Sequence, residues 1–172
     1  MSAKRICIVA LFVGVALAVY VIESAVPVLL PVPGARLGLA NVVVLWLVFV
    51  EGGGVKTAFA VFFVRVLLSG LMFSGVSAAL YSFVGGLCAF AVEAFLASAV
   101  AKNRIAAIPV GVCAAIFHNV GQLVVAAIML GGYAVFVYFP VLLAAGAVAG
   151  AATGLCVYLL LGSSALNRLS RL

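Results

Sequence analysis

Residues 6–26 read ICIVALFVGVALAVYVIESAV, an apolar run broken by one charge, Glu23, and preceded by Lys4 and Arg5. A helix rises about 1.5 Å per residue, and about 20 apolar residues cross a hydrocarbon core of roughly 30 Å. The run therefore reads as a transmembrane helix. A secretory leader is the competing reading, but its apolar region holds only about 7 to 15 residues. This run is longer, contains Glu23, and no A-x-A site follows it. It is read as the first span.

Composition extends that reading to the whole chain. Of 172 residues, 69% are hydrophobic and 7% charged: nine Lys or Arg, three Glu and no Asp. A soluble domain carries roughly a quarter charged residues. A soluble globular domain, a disordered tail and a disulfide scaffold are excluded. The net charge of +6 is no nucleic-acid signature, because the cations sit at the ends of apolar runs and form no basic stripe. Cys7, Cys88, Cys113 and Cys156 lie inside apolar runs without C-x-x-C spacing and read as small buried apolar residues.

Working outward, the expected architecture is one all-α domain over residues 1–172, with six transmembrane spans. They fall at about 6–26, 37–50, 57–71, 78–100, 105–130 and 140–161. Pro27, Pro31, Pro33 and Gly34 make the first connection non-helical. The second and third spans are short. Six spans place both termini on one side. With the termini cytoplasmic, Lys4, Arg5, Lys56, Lys102, Arg104, Arg168 and Arg171 lie inside and Arg36 alone outside, as the positive-inside rule requires. The expected location is the bacterial cytoplasmic membrane, multi-pass, in contact with lipid.

Polar residues at membrane depth are few, and each needs a partner or a cavity. Glu23, Asn41, Arg65, His118, Asn119 and Gln122, with Arg36 on the outer connection, are placed to form an outward-facing pocket. Arg36 and Arg65 suit an anionic group, with Glu23 orienting them. Asn41, His118, Asn119 and Gln122 supply hydrogen bonds. A structural Glu23–Arg65 ion pair and simple helix bridging by the fifth-span residues stay open beside this. Glu93 falls in the inner half of the fourth span, away from the cluster. Snorkelling, pairing with Lys102 or Arg104, and proton coupling are its alternatives. Ala10, Gly14 and Ala18 on the first span, and Gly146, Gly150 and Gly154 on the sixth, recur every four residues. Such faces admit close helix approach, either inside the bundle or, for the first set, against a partner protein.

Several sites are absent. Gly52 to Thr57 resembles a phosphate-binding loop but has Val55 where glycine must precede Lys56. One histidine without a neighbouring carboxylate makes no metal site. No cofactor and no catalytic constellation is visible, so the chain reads as a non-enzyme.

A family resemblance rests on Glu23, the segment Pro31-Val32-Pro33-Gly34-Ala35-Arg36-Leu37-Gly38-Leu39-Ala40-Asn41, Arg65-Val66-Leu67-Leu68, His118-Asn119-Val120-Gly121-Gln122 and Tyr138-Phe139-Pro140-Val141-Leu142-Leu143. Together these resemble the Gx transporter family, also labelled heptaprenyl diphosphate synthase component I. That family in turn resembles the S components of energy-coupling-factor transporters. The resemblance implies a six-helix, substrate-binding subunit for a vitamin, a flavin or quinone, or an isoprenoid-type precursor. It also implies partner ATPases and a coupling membrane subunit docked on Ala10, Gly14 and Ala18. Prenyl chain elongation resembles chemistry run by Asp-rich magnesium sites, and magnesium needs hard oxygen ligands. A chain without Asp supplies no such site. The synthase label then implies a membrane accessory of polyprenyl diphosphate or quinone synthesis, or a structural subunit of a membrane redox complex.

Overall fold

A computed structural model describes residues 3–25, 38–50, 54–100 and 106–163. Every regular element among them is helical: α1 (Ala3–Ala25), α2 (Asn41–Phe49), α3 (Gly54–Ser69), α4 (Gly75–Val100), α5 (Ala107–Leu130) and α6 (Phe139–Leu161). A π-turn, Gly70–Ser74, joins α3 to α4, and a 3₁₀ turn, Tyr133–Tyr138, leads into α6. An all-helical architecture follows from the solvent. In hydrocarbon the backbone has no water to bond, so each spanning segment must satisfy its own N–H and C=O groups.

Five stretches are long and apolar enough to cross a membrane: Ile6–Ser24, Gly54–Phe73, Gly75–Leu96, Ala107–Leu130 and Tyr133–Leu161. The expected second span is the exception. Its helix has nine residues, about 14 Å of rise, or half the hydrocarbon thickness. The cause is local. Gly38 takes φ +78°, and a tight turn follows, with Asn41 N–H on the Gly38 carbonyl at 2.9 Å and Val42 N–H on Leu39 at 3.0 Å. Helical geometry starts only there, and it stops at Val50, whose backbone is extended. α2 is nonetheless the most enclosed helix. Val43 through Leu47 are all buried, and the Trp46 ring lies 5.2 Å from that of Phe12 on α1.

α4 packs on α5, and α5 packs antiparallel on α6, with Gly146, Gly150 and Gly154 meeting Ala115, Gly111 and Ala107 in turn. The second seam is built from glycine. A Cβ on Gly150 would stand 2.5 Å from the Gly111 carbonyl oxygen, and one on Gly154 would stand 2.6 Å from that of Ala107. The small-residue face of the sixth span therefore serves internal packing. Ala10, Gly14 and Ala18 are exposed instead, with nothing within 4 Å of a Cβ on Gly14. On the α3–α4 side, Phe62 stacks between Phe83 and Phe90 over the bare backbone of Gly86.

One expectation fails outright. Cys7 and Cys156 are exposed on the bundle surface, and Cys88 and Cys113 are half-buried; all four are free thiols. An apolar thiol is as well accommodated by lipid as by protein, so residence in an apolar run did not require burial.

Candidate functional site

Polar side chains gather where α1, α2, α3, α4 and α5 meet. Along α5 they separate two apolar layers, with Ala107 and Val110 on one side and Leu123, Val125 and Ala126 on the other. Between them His118, Asn119 and Gln122 are buried.

The cluster is continuous through short contacts. Glu23, near the end of α1, accepts the Gly38 N–H at 2.8 Å through Oε1. Gly38 lies against the His118 ring, so that a Cβ there would stand 3.2 Å from Nε2. His118 Nε2 and Gln122 Nε2 are 2.9 Å apart, one turn apart on the same face of α5. The Gln122 amide nitrogen can only donate, so in this arrangement the ring proton sits on Nδ1. From the other end of the turn at Gly38, Asn41 Oδ1 accepts a hydrogen bond from Arg65 Nη2 at 3.3 Å. Arg65 is 3% exposed, and its guanidinium carbon lies 5.9 Å from the Phe62 ring centre.

Five of the sequence-selected residues are thereby brought together: Glu23, Asn41, Arg65, His118 and Gln122. Arg36, and with it the proline-rich connection Pro27 to Arg36 expected to cap the pocket, lies outside the described residues. Asn119 departs from the group. Its Nδ2 donates to the Leu142 carbonyl of α6 at 2.6 Å, in space left open by Gly146. Asn119 bridges two helices. Asn119→Ala should cost roughly 0.6–1.7 kcal/mol, the range of interhelical hydrogen bonds in membranes, as read by unfolding in bicelles. Ligand affinity should be unchanged.

No ion pair closes between Glu23 and Arg65 among the described residues. Arg65 Nε has no hydrogen-bond partner among the described residues. Glu93 is 1% exposed, so it does not snorkel to the surface. Lys102 and Arg104, its expected partners, lie outside the described residues.

Three contributors were not selected from the sequence. Gly38 and Gly85 make room for the His118 ring: a Cβ on Gly85 would stand 2.8 Å from the His118 carbonyl oxygen and 2.9 Å from Gln122 Cγ. Tyr20 is buried three residues before Glu23 on the same face of α1. Only that i, i+3 spacing pointed to it.

A family model described as heptaprenyl diphosphate synthase component I matches residues 12–160. No curated protein and no solved structure matches the chain. The match runs from the first helix to the end of the sixth, taking in every residue of the buried polar cluster, and the chain belongs to the heptaprenyl diphosphate synthase component I family.

Proposed function

We propose that the chain is a non-catalytic, membrane-embedded binding subunit that takes up a small molecule carrying an anionic group from the outer side of the bacterial cytoplasmic membrane. Arg65 carries this reading. A guanidinium at membrane depth is costly unless it is paired or faces a ligand path. Here it is buried, with one amide oxygen and one ring beside it and no carboxylate in contact among the described residues. His118 and Gln122 add hydrogen-bonding groups one contact away. Carboxylate vitamins, flavin nucleotides and isoprenoid diphosphates carry groups of this kind.

In this reading both termini are cytoplasmic, as the seven-to-one cation distribution favours, and α2 contributes to the sixth crossing. Uptake is driven by separate subunits, a membrane coupling subunit and ATPases like those of energy-coupling-factor modules. Ala10, Gly14 and Leu17 border an apolar groove of about 410 Å³ shared with Val64 and Leu68 of α3, and this exposed face supports docking of the coupling subunit there. The family description favours a second reading, a membrane accessory of polyprenyl diphosphate synthesis.

The test is ligand-dependent stabilisation of the purified protein, with flavin mononucleotide and farnesyl diphosphate in the panel and mass spectrometry of co-purified molecules. A ligand at a hundred times its Kd should stabilise the fold by about 2.7 kcal/mol. Arg65→Ala should remain folded and lose that shift. If nothing in the panel shifts the transition and nothing co-purifies, the binding reading is lost. Capture of a soluble synthase subunit in mild detergent, with no transporter ATPase, would select the accessory reading.

A further inference from the structure

Arg65 is held from two sides and unpartnered on a third. Its Nη2 donates to Asn41 Oδ1 at 3.3 Å. Its guanidinium carbon lies 5.9 Å from the centre of the Phe62 ring, one turn earlier on α3. Phe62 has little freedom to turn away. It stacks on Phe83 and on Phe90, with ring centres 6.2 Å apart in each case, and the bare backbone of Gly86 lies against it. Arg65 Nε is the exception: it is closed to solvent and has no acceptor among the described residues.

An arginine Nε–H does not act alone. In the planar guanidinium it points along the same edge as one N–H of a terminal nitrogen, and that edge offers two parallel donors to two oxygens of one acceptor. Asn41 brings a single amide oxygen. At 3.3 Å it stands farther off than the roughly 2.7–2.9 Å of a strong charge-assisted bond. Glu23 could have filled the edge, but its Oε1 is turned to the Gly38 N–H. A buried charged donor without an acceptor is costly, and an oxyanion placed on it removes that cost.

Resting on the reading of Arg65 as an anion site, we propose that the Nε–H edge of Arg65 is the ligand contact, that it takes two oxygens of one carboxylate or phosphate, and that Asn41 is the positioning residue that fixes the guanidinium, with Phe62 as its second support. The chemistry recognised is then a two-oxygen oxyanion and not negative charge alone. A halide fills only half of such an edge. Lysine carries the charge but has no such edge. Since Nε is enclosed, the packing around it opens as the oxyanion enters. The closed site then holds the pair in a low dielectric, where a charge-assisted bond is strong.

The measurement is affinity in nanodiscs for flavin mononucleotide, farnesyl diphosphate and biotin, which present a phosphate, a diphosphate and a carboxylate. Wild type is compared with Arg65→Lys, Asn41→Ala and Asn41→Asp. For whichever probe binds wild type, Arg65→Lys should weaken binding at least about tenfold, and Asn41→Ala should weaken it less. Asn41→Asp is the readout that a merely structural role would not move. Aspartate keeps the volume and the oxygen acceptor, and a carboxylate suits the first residue of α2, so stability should hold. Its charge nevertheless competes for the guanidinium, and affinity should fall further than in Asn41→Ala. Wild-type affinity in Arg65→Lys overturns the inference and leaves the anion site standing, because charge alone then suffices. Undiminished affinity in Asn41→Asp overturns the inference by itself, whether or not Arg65→Lys folds. Absence of saturable binding of all three probes to wild type overturns the anion site and this inference with it.

Discussion

Gly150→Ala should lower the unfolding free energy of the bundle by about 2–3 kcal/mol, the upper part of the range for overpacking. The reason is what the new methyl would meet. It would stand 2.5 Å from the Gly111 carbonyl oxygen, 2.6 Å from Val112 Cα and 2.9 Å from Ala115 Cβ. Two of these are backbone atoms of α5, and no rotamer change moves them. The helices must part. Parting also disturbs the packing at Gly154, where a Cβ would stand 2.6 Å from the Ala107 carbonyl oxygen and Ile108 Cα, and the 2.6 Å hydrogen bond from Asn119 to Leu142. Lipid supplies no hydrophobic drive to hold the pair together, so close backbone packing is the main attraction that is lost. Gly14→Ala is the matched control. It has nothing within 4 Å of its Cβ, and in a helix interior alanine is favoured over glycine by up to about 1 kcal/mol. Reversible unfolding of the three proteins in one bicelle composition reads both effects. A Gly150→Ala variant as stable as wild type would mean that the α5–α6 seam is looser than described.

How far these features were legible depended on how local their cause is. Helix type and the position of five spans follow from the backbone's need for internal hydrogen bonds, which every apolar run carries with it. The length of α2 did not, because its start is fixed by the φ of Gly38 and the turn after it rather than by any change in hydropathy. The four-residue spacing of Gly146, Gly150 and Gly154 announced a close approach. That the approached backbone is α5 needed three dimensions. His118 and Gln122 share a face of α5 because they lie one turn apart, whereas Asn119, a sixth of a turn or more away, points at α6. Glycines escaped selection as site residues because their role is the space they leave.

Gly38→Ala should combine a stability loss with a binding loss, by two separable mechanisms. The first is backbone strain. Gly38 adopts φ +78°, where a residue with a Cβ pays about 1–2 kcal/mol. The second is contact. The added Cβ would stand 3.2 Å from His118 Nε2 and 3.3 Å from Cδ2, against a ring whose Nε2 is already 2.9 Å from Gln122. The ring has Gly85 behind it, where a Cβ would already be within 3.2 Å of its Cε1, so retreat is limited. Displacement at Gly38 also loosens its N–H from Glu23 and its carbonyl from Asn41, the residue that accepts from Arg65. Affinity for whichever probe stabilises wild type should therefore fall at least about tenfold, the equivalent of one such contact at about 1.4 kcal/mol. A double-mutant cycle with His118→Ala separates the parts, since truncating the ring removes the contact and leaves the strain. Gly38→Ala should cost less in the His118→Ala background, and the remainder should match the strain alone. Equal costs in both backgrounds would show that the His118 contact carries none of the loss, and the cluster would then be held by the turn at Gly38 rather than by the packing of His118 against it.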